Sequence, residues 1–106
     1  MDKNKLLVAL NNSNIEWRKH ALERMLTRGI TRAEVKSALM YGEIIEEYKD
    51  DKPYESALFF YVNNKPLHVV VGFDIGNMML YVITAYIPDK EHFNDDFKTR
   101  RRNDDR

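Results

Sequence analysis

Apolar positions change their spacing once along the chain, at Gly42. Before Gly42 they recur at helical intervals; after it they alternate or cluster in short aromatic and β-branched blocks, as strands do. Lys3–Leu10 reads as a short helical turn or an ordered arm, followed by the turn-forming cluster Asn11-Asn12-Ser13-Asn14. From Ile15 to Arg28, the residues Ile15, Leu22, Met25 and Leu26 fall within an arc of about 100° on a helical wheel. Gly29 supplies the left-handed residue that ends such a helix. Thr31-Arg32-Ala33-Glu34 forms a capping box, because hydroxyl and carboxylate can each take the other's free backbone amide. The helix it starts runs to about Tyr41, burying Val35, Ala38 and Leu39, and stops at Gly42.

Beyond Gly42, Glu43–Tyr48 is strand-like but acidic, which suits a sheet edge, where charge discourages stray pairing. Asp50-Asp51-Lys52-Pro53 turns the chain. Ser56–Val62 and Leu67–Asp74 form a hairpin through Asn63-Asn64-Lys65-Pro66, and Ile75-Gly76-Asn77 leads into Met78–Ile87. The expected fold is α+β, with two N-terminal helices packed on one face of a four-stranded antiparallel meander sheet. Residues 1–14 would be an arm or short helix, residues 15–97 a single domain, and residues 98–106 a polar basic tail. Phe93 and Phe97 are expected to dock, and the last residues to fray.

With 106 residues there is room for one domain. The absence of cysteine excludes disulfides, thiol catalysis and Cys-ligated metal. The longest apolar runs have six residues, against the roughly 20 of a membrane span. Leu6–Leu10 is too short for a signal-peptide core. A cytoplasmic chain without a membrane anchor is the economical expectation. Seventeen basic and seventeen acidic side chains cancel, but unevenly: residues 15–36 carry +3 and residues 43–55 carry −4. Arg100-Arg101-Arg102 forms a basic knot. A neutral total therefore does not argue against an anionic ligand.

On the first long helix, His20, Arg24 and Arg28 stand at i, i+4 and i+8, with Trp17 beside them, away from the apolar stripe. One imidazole and two guanidiniums on a face suit a phosphodiester, since Arg grips phosphate oxygens and His titrates near neutrality. The same pattern also describes an ordinary solvated helix face. Trp17 serves either as a base-stacking platform or as a core anchor. His68 sits mid-strand, where a histidine is commonly a hydrogen-bonded core residue. A three-residue Ile75–Asn77 loop would pair it with Thr84, with Tyr86 two residues beyond, and a one-residue shift would dissolve that set. Glycines are scattered, so no phosphate loop exists. His20, His68 and His92 lack metal-ligand spacing, so no metal site and no cofactor are expected.

Together, Trp17…His20…Arg24-Met25…Arg28-Gly29-Ile30, Gly42-Glu43…Glu46…Tyr48, Pro66-Leu67-His68-Val69-Val70 and Thr84-Ala85-Tyr86…Pro88 resemble the bacterial "domain of unknown function 4258", over roughly residues 15–102. The resemblance implies a small stand-alone protein, in some cases encoded beside an antitoxin. Its helix-then-sheet layout is similar to that of RelE-like and barnase/EndoU-like ribonuclease toxins. The functional expectation is a metal-independent endoribonuclease of toxin type, in which the RNA 2′-hydroxyl attacks its own phosphate. His20 and His68 would transfer protons and Tyr86 would complete the catalytic set. Trp17, Arg24, Arg28 and Thr84 would bind or orient substrate. RNA, an antitoxin or a second copy would be the partner. The rival expectation is a non-catalytic interaction domain pairing through charged faces or the acidic edge strand.

Overall fold

The computed structural model describes residues 1–101. Three helices and a five-stranded sheet are present: α1 Lys3–Asn11, β1 Ile15–Trp17, α2 Lys19–Arg28, α3 Arg32–Tyr41, β2 Glu43–Tyr48, β3 Glu55–Asn63, β4 Lys65–Asp74 and β5 Met79–Tyr86. The mixed α+β class is as expected, and the count of elements is not: there is one more helix and one more strand. Strand order is β1-β5-β4-β3-β2. The β2–β5 meander is antiparallel, with acidic β2 at an edge, whereas β1 adds to β5 in parallel.

Strand β1 corrects the helix expected from Ile15. Ile15 pairs with Leu80 and Trp17 with Val82, so hydrogen bonding to a distant strand overrides a local helical period. Only then does α2 begin, at Lys19, and Trp17 does not share a helix face with His20. The ring of Trp17 is half-buried against the core beneath the Arg32 guanidinium, in the core-anchor role. The buried stripe of α2 also differs from the one expected. Ala21 and Met25 are buried, while Leu26, expected inside, is 83% exposed.

Several local signals act as their chemistry requires. Asp2 caps α1 by accepting from the Lys5 amide. The Thr31–Glu34 capping box forms in both directions. Gly29 ends α2 at φ 69, in the left-handed region that side chains resist. Gly42 ends α3 for a different reason. A Cβ there would stand 2.4 Å from the Ala38 carbonyl oxygen and 2.6 Å from that of Phe60, so the helix end lies directly on β3 backbone.

The helices cover one sheet face, where Phe59, Val69, Val71, Leu80, Val82 and Ala85 meet Leu6, Leu10, Met25, Val35 and Leu39. The opposite face is partly covered too. Residues 88–101 return across it as an irregular strap, with Phe93 buried and Arg100 bidentate on Glu46 of β2. Lys98, expected in a free tail, also pairs with β2, through Glu43. Residues 102–106, including Arg102 of the basic knot, lie outside the described residues. Among the described residues, no helix is long and apolar enough to cross a membrane.

Candidate functional site

A register shift decides what His68 meets. A bulge in the β4–β5 ladder between Val70 and Val71 places His68 opposite Tyr86 and Val70 opposite Thr84. The expected His68–Thr84 pairing is thus corrected by one step of two residues. His68, Thr84 and Tyr86 still share a face, the one under the strap.

There His68 is fully buried. The rings of Phe93, Tyr86 and Phe60 surround it at centroid distances of 4.5, 5.3 and 5.8 Å. Its Nε2 lies 2.6 Å from the Phe97 carbonyl oxygen, and its Nδ1 lies 3.2 Å from the Tyr86 hydroxyl. A carbonyl only accepts, so Nε2 carries the proton and Nδ1 accepts from Tyr86. Both ring nitrogens are engaged. Burial pushes the imidazole pKa below its ordinary value, against the Phe97 hydrogen bond that raises it. Burial likewise pushes the Tyr86 phenol up, keeping it protonated, while Arg28 and Arg100 partly oppose this.

Tyr86 forms one wall of an open cleft of about 530 Å³, lined also by Arg28, Ile87, Asp89, His92, Phe93 and Arg100. Arg28 arrives from the last turn of α2 and is tied to the sheet by Nη1 donating to the Ala85 carbonyl at 2.9 Å. Arg100 comes from the strap. Its guanidinium grips Glu46 at 2.8 and 3.2 Å and stacks 4.9 Å from the Phe93 ring centroid. Tyr48 donates to the same Glu46 carboxylate, steadying it. Asp89 Oδ1 accepts from the Glu91 and His92 amides and from His92 Nδ1, the last at 2.8 Å. The His92 hydrogen bonds hold the Asp89 carboxyl below the usual range. With Nδ1–H given to a carboxylate, Nε2 of His92 is the nitrogen left to accept a proton.

The structure brings together Arg28, Tyr86 and, behind Tyr86, His68. Thr84 is half-buried one step away along the same face. His20 is not part of this group. It stands two helical turns from Arg28, roughly 12 Å along the axis. Its side chain is 88% exposed, with Glu23 beside it at 3.4 Å. Arg24 is exposed one turn from Arg28, outside the cleft lining. Asp89, His92 and Arg100 were missed as site residues. Asp89-x-x-His92 carries a weak local signal, an Asx-type turn after Pro88. The Arg100–Glu46 pair joins residues 54 apart and leaves no sequence signal.

A family model described as "Domain of unknown function (DUF4258)" matches residues 17–87, about two thirds of the chain. Arg28, His68 and Tyr86 fall within that match, whereas the strap residues His92 and Arg100 follow it. No curated protein and no solved structure matches the chain.

Proposed function

From the premise that the chain belongs to the DUF4258 family, we propose that it binds and cleaves RNA in the Arg28–Arg100 cleft, as a metal-independent endoribonuclease. The observation that carries the reading is the convergence on one cleft of two guanidiniums, a carboxylate-held imidazole and a half-buried tyrosine. Those are a phosphate clamp, a base and a proton donor. His92 Nε2 takes the proton of the RNA 2′-hydroxyl, and the oxygen attacks the adjacent phosphorus. Arg28 and Arg100 neutralise the charge that builds on the phosphoryl oxygens. As the P–O bond to the leaving group breaks, the Tyr86 O–H turns from His68 Nδ1 to the departing 5′-oxygen and gives it the proton, leaving a cyclic phosphate on one fragment and a hydroxyl on the other. Water then returns the proton from His92 to Tyr86. His68 acts behind Tyr86 as a positioning residue, because neither of its nitrogens is free.

The resemblance to toxin ribonucleases in helix-then-sheet layout supports placing this activity in a toxin–antitoxin pair. The interaction-domain reading has its own support, the exposed Leu26 of α2 beside half-buried Leu22, above the buried Met25 and Ile30. One experiment separates the two. Purified protein incubated with mixed-sequence RNA in chelator should yield fragments ending in cyclic phosphate. RNA left intact, with a protein partner recovered on α2, would replace the enzyme with the interaction domain.

A further inference from the structure

The strap covers only part of its sheet face. Farther along that face, Tyr54 and Tyr81 stack with ring centroids 5.1 Å apart and planes 4° from parallel. The Arg18 guanidinium lies 5.0 Å from the Tyr81 ring centroid. The register explains how the rings meet. Tyr81 stands opposite Gly72 of β4, which stands opposite Ser56 of β3, two residues after Tyr54. Gly72 contributes no side chain to separate them. Both tyrosines are half-buried, and Arg18 is exposed and makes no side-chain capping bond at the start of α2.

Tyr81 and Tyr86 lie on one face of one strand. Their partners on β4, Gly72 and His68, are four residues apart, which sets the stack about 14 Å from the Tyr86 hydroxyl's strand position at ~3.4 Å per residue. A few nucleotides of extended single strand cover that distance. Between the two ends lie half-buried Thr84 and exposed Ile83, with no bulky charged side chain of β5 in the way. Glu16 stands opposite Tyr81 on β1, which makes the stack a poor place for a phosphate and leaves the uncharged base as the group to be held.

We propose that Arg18, Tyr81 and Tyr54 form a base-stacking subsite for a single-stranded polynucleotide that extends from the Arg28–Arg100 cleft. The inference rests on the cleavage reading for the position of the phosphate, but not for the stacking itself. Tyr54 and the Arg18 guanidinium already lie against Tyr81, so the planes left to a base are the outer ones of that stack. A guanidinium or aromatic plane accepts any base, and the contact does not need the 2′-hydroxyl. The subsite therefore takes single-stranded DNA as well as RNA, gives length dependence and little sequence preference, and rejects duplexes.

The test titrates the full-length protein with a labelled single-stranded DNA hexamer, which has bases but no 2′-hydroxyl to cleave. Arg18→Ala, Tyr54→Ala and Tyr81→Ala should each weaken binding by roughly ten-fold, while Tyr81→Trp keeps it. A hexamer lacking the bases that reach the stack should bind wild type as weakly, and Arg18→Ala should then cost nothing more. Arg18→Ala should keep the wild-type melting temperature, so its loss cannot be misfolding. The subsite is overturned if Arg18→Ala and Tyr54→Ala bind the hexamer like wild type, or if wild type does not bind it. A protein that binds through the stack but leaves RNA uncut keeps the subsite and loses the ribonuclease. Cleavage that is lost in cleft variants, with hexamer binding indifferent to the stack, does the opposite.

Discussion

The hydroxyl of Tyr86 donates to Nδ1 of His68 across the β4–β5 ladder, at 3.2 Å. The direction of that bond follows from the far side of the ring, where Nε2 must donate to the Phe97 carbonyl. Sheet, imidazole and strap are thus joined through one neutral side chain.

His68→Ala should lower stability by about 2–4 kcal/mol, through a cavity and two polar groups left unpartnered. Urea denaturation measures this; an unchanged midpoint would mean that the strap does not depend on His68.

The same histidine should make stability fall in mild acid. Its folded pKa is lowered by burial, so the unfolded chain binds the proton first. Its contribution is complete above the unfolded value of about 6.5 and is lost as pH falls from there through the folded value. Unfolding free energy compared at pH 7.5 and pH 5.5 should decline in wild type, and decline less in His68→Phe.

Tyr86→Phe should reduce RNA cleavage by about 10²–10⁴-fold if the hydroxyl is the proton donor. Arg28→Ala should weaken RNA binding and flatten its salt dependence, because a phosphate contact is removed. A salt slope identical to that of wild type would take Arg28 out of the phosphate site.

His20→Ala should leave both cleavage rate and melting temperature within error of wild type, since the His20 side chain is exposed on α2, away from the cleft. A large loss of cleavage would move the chemistry from the strap cleft to the exposed face of α2.

Gly42→Ala should cost about 3 kcal/mol. The atoms that the new methyl would meet, the Ala38 and Phe60 carbonyl oxygens, belong to backbone and cannot swing aside. A melting curve close to that of wild type would show that α3 is free to lift from β3.

The elements that could be read in the sequence were those specified by neighbours in the chain. The Thr31–Glu34 box, the stop at Gly29, the Asn63–Pro66 connection and the acidic character of Glu43–Tyr48 all have local causes, while the stop at Gly42 also answers to the β3 backbone against it. What escaped was specified at a distance. Ile15–Trp17 has the apolar spacing of a helix and becomes a strand only because β5 offers an unpaired edge. The bulge after Val70 reset which residue faces His68, and no residue type announces it. For the site, Arg28, His68 and Tyr86 were visible as candidates because their side chains are chemically conspicuous. His92 and Arg100 were not, because a polar segment after the last strand looks like a tail until Phe93 and Glu46 hold it down.

The parallel pairing of β1 with β5 also sets an order of assembly. Each hairpin of the meander closes over a few residues, but Ile15 must find Leu80. Closing a loop of that length costs on the order of 4 kcal/mol of chain entropy before any contact is gained. The meander therefore condenses first, and the three residues of β1 dock late, together with α1 and α2, which reach β5 across loops of similar length. Until they do, β5 is a bare edge carrying Leu80 and Val82, open to a strand from another molecule. The earliest-synthesised strand is thus the last to be placed. Shortening or weakening it should show up first as slower refolding and aggregation at high concentration, before any loss of the native state at equilibrium.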